Sequence, residues 1–436
     1  MIQGILSIFR YRRINCIDMK DMKYNKEGYA KMKTPLTART AIVSALVLAV
    51  AASVSAFAND DVKQERDIEI LREATEQGDS NAQCKLGRKY ANGDGVEQDF
   101  EEAAKWYKMA VEQGAACAQC NLGVMYKNGN GVPEDKVEAV RLFRLAAAQG
   151  CIDAQYNLGR VYARGEGVSK DDSEAARWYQ MAAEQGQHQA QYCLGAMYFH
   201  GWGVEKDMQE GVRLCRMAAE SGHPQAQNQL GVMYSKGVVV EKDKAEATKW
   251  FLKAAEQGLA VSQYNLGKAY AKGDGVEENQ QEAVKWYRKA AEQGHAKAQY
   301  SLGSKFFNGE GVEQDKSAAA MWCRKSAEGG YAKAQHILGR MYYNGDCVEQ
   351  DWEEAAKWFL KAAEQGNADA QCCLGWMYSH GEGVDKDVDA ALMWYQKATE
   401  QGNEIAKHNL GNMLQNSDGS NDTMKVPEFN GTSFED

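Results

Sequence analysis

Cys117-Ala-Gln-Cys120 places two thiols one helical turn apart near the start of a helix, a setting in which a thiol pKa falls and a dithiol can exchange with a disulfide. No strand–helix–strand pattern surrounds the pair, so a thioredoxin-like role lacks its scaffold. The seven histidines are scattered, with no HExxH and no zinc-ligand spacing of His, Cys and Asp. Asn92-Gly93-Asp94-Gly95 offers glycines for a phosphate cradle and oxygens for calcium, but the same loop returns along the chain as a turn between helices, which argues for a structural role. The sequence therefore points to no catalytic residue, no metal site and no cofactor.

The elements that carry these residues follow one beat. Leu-Gly recurs at Leu86, Leu122, Leu158, Leu194, Leu230, Leu266, Leu302, Leu338, Leu374 and Leu410, always 36 residues apart. A second glycine keeps step from Gly78 to Gly402, mostly as Glu-Gln-Gly. A strict period of this size means stacked supersecondary units. In one unit Ala82, Leu86 and Tyr90 make the apolar stripe of a helix A, and Gly87 admits a close neighbour. A left-handed glycine near Gly93 ends that helix, and Asp99 with Glu102 forms a capping box for helix B. Helix B buries Ala103, Trp106 or Tyr107, and Ala110. Nine full units span 79–402, with an opening helix near 62–77 and a closing helix near 403–415. Val239 and Cys347 replace the second loop glycine, so those two turns are expected to differ locally. A glutamine three places before each leucine, from Gln83 to Gln371, reads as a hydrogen-bonding ladder.

Residues 1–58 read differently. Ala41–Ala58 is an apolar run behind Lys33 and Arg39 that closes on Ala56-Phe57-Ala58, the pattern of a secretory signal peptide cleaved after Ala58. The basic stretch before it is long for such a leader and suggests a start at Met32; an uncleaved signal anchor is the alternative. The chain carries a net charge of -10, and the leader holds nine Lys/Arg against three Asp/Glu, so its removal leaves -16. Such a surface repels nucleic acid. Export to the periplasm or beyond is the expected destination, with no stable membrane span after cleavage. Residues 416–436, rich in Ser, Asp, Asn and Gly, read as a disordered tail.

The motif A-Q-Y-N-L-G-x-x-Y-A-x-G-x-G-V-x-x-D at Ala154–Asp171, followed by E-A-A-R-W-Y-Q-M-A-A-E-Q-G at Glu174–Gly186, resembles the Sel-one-like repeat, a relative of the tetratricopeptide repeat. The resemblance implies an all-α fold, a right-handed α-solenoid, and an adaptor or scaffold that binds a protein or peptide on its concave face. In tetratricopeptide-like stacks the positions two before, two after and five after the leucine face that groove. Here they supply Tyr156, Tyr192, Tyr264, Tyr300 and His336, then Arg160, Lys268, Arg340 and Trp376, then Phe199, Phe307 and Tyr343. A basic and aromatic groove in an acidic chain suits an acidic peptide. The competing reading is that these rings pack against neighbouring helices. A cysteine-rich secreted branch of the family, in which each unit carries its own bridge, has β-lactam-directed hydrolysis ascribed to some members. The ten cysteines after the leader do not follow the repeat, which leaves a β-lactam- or peptidoglycan-directed hydrolase as an alternative only.

Overall fold

The computed structural model describes residues 66–415 and 424–427. The leader, the start at Met32, cleavage after Ala58 and most of the expected disordered tail lie outside the described residues. A helix over 66–76 opens the described chain. Nineteen more follow from Ser80–Asn92 to Glu404–Gln415, each 13 residues long apart from the last, and no strand occurs among the described residues. The chain divides into two compact units, Met1–Trp106 and Tyr107–Asp436. In the first, Arg72 donates to the Tyr90 hydroxyl at 3.0 Å, tying the opening helix to Ser80–Asn92. In the second, each helix packs on the next in sequence, as an α-solenoid of 36-residue hairpins requires.

The local chemistry explains the beat. Helix B opens on an aspartate or asparagine whose side chain accepts first-turn amides, as Asp171 does from Ser173 and Glu174. Helix A closes on a left-handed glycine such as Gly165, at φ 70°. The leucine is the floor of the core, and Leu158, Leu230, Leu266, Leu302 and Leu338 are wholly buried. The glycine beside it makes room for one aromatic side chain: a Cβ on Gly159 would lie 2.5 Å from the Tyr179 ring, and Gly339 faces Phe359 in the same way. Any larger residue would force the two helices of that hairpin apart.

The glutamine ladder is present. Gln185 donates to Gln155 at 2.7 Å, joining the end of helix B to helix A, and Gln191 donates to the Ala183 carbonyl of the preceding unit at 3.2 Å. The turns at Val239 and Cys347 do not depart from the others: both residues adopt left-handed φ, 66° and 64°, as the glycines do. The stacking of units imposes that conformation, and the β-branched Val239 holds it under strain.

Candidate functional site

Five of the twelve residues expected to line a groove come together in two hollows on the A-helix side of the second unit. In the first, about 70 Å³ in volume, Tyr264, Lys268 and Tyr300 meet Lys272, Tyr287, Lys297 and Tyr331. The second, about 520 Å³, takes in Tyr300, His336 and Arg340, with Lys333, Cys372, Cys373 and Pro427 among its other walls. Trp376 and Tyr343 form a polar pair nearby: both donate to Glu382 Oε2, from the indole at 3.2 Å and from the hydroxyl at 2.6 Å. Tyr156, Arg160 and Tyr192 stand apart from these hollows. The Arg160 guanidinium lies 5.8 Å from the Tyr156 ring, and Tyr192 stacks on His223 at 4.8 Å.

Several of the twelve are more deeply packed than an open groove requires. Tyr300, Arg340 and Trp376 are only 4%, 5% and 9% exposed, and Tyr300 and Arg340 floor the hollows instead of projecting into them. Phe199 and Phe307 have a structural explanation. Helix B normally supplies the ring that covers the Leu-Gly glycine, but two units carry Cys215 and Cys323 at that position. In those units a phenylalanine five places after the leucine joins the core: Phe199 lies against Gly211 and the cluster holding Cys215, and Phe307 against the cluster holding Cys323. The lost volume is returned from the other helix of the hairpin, as close packing demands.

The electrostatics follow burial. Burial, with Arg340 beside it, pushes His336 down to about 3, so its imidazole is neutral at ordinary pH. Cys117 is disulfide-bonded and Cys120 is a free, buried thiol, so the CxxC does not present a reduced dithiol. Cys120 instead interacts with Cys151, which holds the Cys151 thiol below its ordinary value, while that interaction and burial raise Cys120. No group of three or more His, Cys, Asp or Glu is placed to hold a metal ion among the described residues, and no described helix is long and apolar enough to cross a membrane.

The Sel1 repeat model matches nine consecutive times, over 80–114, 118–151, 152–187, 188–223, 224–259, 260–295, 296–331, 332–367 and 368–403. The chain belongs to the Sel1 repeat family. Among solved structures it is similar to c5321, a protective antigen of uropathogenic Escherichia coli strains that displays an SLR fold, at 40% identity and TM-score 0.67, over 80% of this chain and 75% of that one. It is also similar to a Sel1 repeat protein from Oxalobacter formigenes, at 37% identity and TM-score 0.55, over 71% of this chain and 89% of that one. None of the curated proteins compared with the chain matches it. Sel1 repeat proteins generally act as non-enzymatic scaffolds for protein–protein interaction, and nothing in these comparisons indicates a hydrolase.

Sequence reasoning passed over one register of the Sel1 stack. The position immediately before the leucine carries Asn121, Asn157, Asn265 and Asn409. Asn157 points to Cys120 Sγ at 3.9 Å and Asn265 to Asn228 Oδ1 at 3.0 Å, each one unit back. Asn409 has no exposed surface, and both polar ends of its amide meet the backbone of Lys425. The signal was in the motif, as the N of A-Q-Y-N-L-G, but asparagine beside a core leucine is easily read as filler.

Proposed function

We propose that the A-helix side is the concave face of the stack and holds an extended protein segment bearing acidic side chains, so that the chain works as an exported scaffold. The observation that carries this reading is the smaller hollow, where Lys268, Lys272 and Lys297 surround Tyr264, Tyr287, Tyr300 and Tyr331 in a chain of net charge -10. Three exposed lysines sharing a hollow with tyrosine rings offer charge to a carboxylate and apolar area to the segment that carries it. Export rests on the run Ala41–Ala58 with its small-residue end.

The test is a pull-down from envelope and host-cell extracts with Asn59–Asp436, beside the triple variant Lys268→Glu, Lys272→Glu, Lys297→Glu with its helicity verified. The expected result is a partner whose cross-linked segment is acidic and which the variant no longer holds. Equal capture by both proteins would place binding elsewhere. N-terminal sequencing of the exported chain should give Asn59.

A further inference from the structure

Within the stretch expected to be disordered, Met424–Pro427 is a segment without regular secondary structure, tied back to the stack through Lys425. Asn409 Nδ2 donates to the Lys425 carbonyl at 2.8 Å, and Asn409 Oδ1 accepts from the Lys425 N–H at 2.7 Å; the same Nδ2 lies 3.4 Å from the Tyr395 hydroxyl. One primary amide thus satisfies both backbone groups of one residue, and nothing in that pairing depends on that residue's side chain. The lysine and valine side chains of the segment are turned to solvent. Met424 packs on the last hydrophobic cluster, which contains Trp376 and Tyr395. Pro427 is buried and forms part of the wall of the larger hollow, opposite His336 and Arg340. Proline loses no hydrogen bond there, because it has no N–H, and its fixed φ limits the backbone freedom of the segment.

These contacts have the three parts of strand recognition: a backbone clasp, an apolar side chain in the core, and a ring at the mouth of a cavity. We propose that the C-terminal end of the A-helix face is a binding site for an extended peptide strand read through Asn409, and that the chain's own Met424–Pro427 occupies it. An outside strand then binds here only by displacing the segment. The proposal rests on the reading of this face as a peptide-binding surface, but it depends on Asn409 and the segment and not on the lysine hollow.

The probe is a fluorescein-labelled peptide of residues 416–436, followed by anisotropy with three full-length proteins: the unaltered chain, the chain with Met424→Asp and Pro427→Asp, and that double variant with Asn409→Ala. The segment variant should bind the peptide at least tenfold more tightly than the unaltered chain, and Asn409→Ala should remove at least tenfold of that affinity with helicity unchanged. Should Asn409→Ala disturb the fold, Asn409→Asp keeps the acceptor and loses the donor, and should still weaken binding. Equal binding by the unaltered chain and the segment variant, or no binding by the segment variant, overturns the proposal. Either of those results leaves the lysine test standing, and a failed lysine test leaves this one standing.

Discussion

Asn157, in a full repeat, and Asn409, in the closing helix after the last one, both stand one residue before the leucine, yet their surroundings differ in kind. On the helix Ile152–Arg164, Asn157 is half-buried and reaches only a thiol at 3.9 Å, while Tyr156 and Arg160 beside it form a loose cation–π pair at 5.8 Å. Toward the C-terminal end, Tyr300, Arg340 and Asn409 are all buried, and Pro427 helps to wall the hollow that Tyr300 and Arg340 line. The two helices share Ala-x-x-Asn-Leu-Gly, from Ala154 and from Ala406, so those shared residues do not by themselves decide what an A-helix position does. What lies over the face decides it: a neighbouring side chain at Asn157, a strand of backbone at Asn409.

The largest effect that would sharpen this comparison is on the tyrosines. Tyr300 packs edge-on to Tyr331 at 5.3 Å inside a core cluster, so Tyr300→Ala should cost about 3–5 kcal/mol, the range for emptying a buried aromatic site. Tyr156 is half-buried, and Tyr156→Ala should cost about 1 kcal/mol, the central value for point substitutions. Urea denaturation of each variant measures the pair. Equal losses would mean that the two regions are packed alike and that the difference in burial carries no energy.

The next effect concerns the asparagines. Asn409→Ala leaves the Lys425 N–H and C=O without their partner, a loss of about 1–3 kcal/mol in docking of the segment. Hydrogen exchange at the Lys425 amide should speed up by about tenfold to a hundredfold or more. Asn157→Ala removes only a long contact to sulfur and should move stability by about 0.5 kcal/mol or less. If exchange at Lys425 is unchanged in Asn409→Ala, the clasp does not hold the strand and the contrast between the two asparagines is lost.

The fold was legible because repetition amplifies a weak code. Leu158, Gly159 and Gly165 each have one structural duty, and every unit restates it, so period, helix boundaries and capping could be read without a partner structure. The face was legible only in part. Lys268 and Tyr264 share a hollow as the register implied, but the packing of Phe199 and Phe307 against the core is not legible from their register, because the residues they compensate, Cys215 and Cys323, lie across the hairpin and not beside them in sequence. Asn409 escaped notice for a related reason. Its partner is backbone sixteen residues ahead, in a stretch whose composition speaks for disorder, and composition carries no record of a single amide that pins it.

The smallest effect separates the regions by pH. His336 sits in the C-terminal region, 5.8 Å from the Phe359 ring and 4.0 Å from Cys373 Sγ, with Arg340 on its own helix adding repulsion to the protonated form. Its folded pKa of about 3 lies below the unfolded value of 6.5, so between those limits the unfolded chain binds more protons than the folded one. Stability contributed by neutral His336 is therefore complete above pH 6.5 and declines as the pH falls from there toward 3. The helix Ile152–Arg164 contains no histidine. Peptide-resolved hydrogen exchange at pH 7 and at pH 5 should show Ala332–Asn344 and Ala368–His380 losing protection while Ile152–Arg164 keeps it. His336→Gln should flatten that pH dependence, because glutamine keeps polar atoms but takes up no proton. Uniform loss across all repeats would instead point to the general charge balance of the chain, and the C-terminal region would not be the more acid-sensitive of the two.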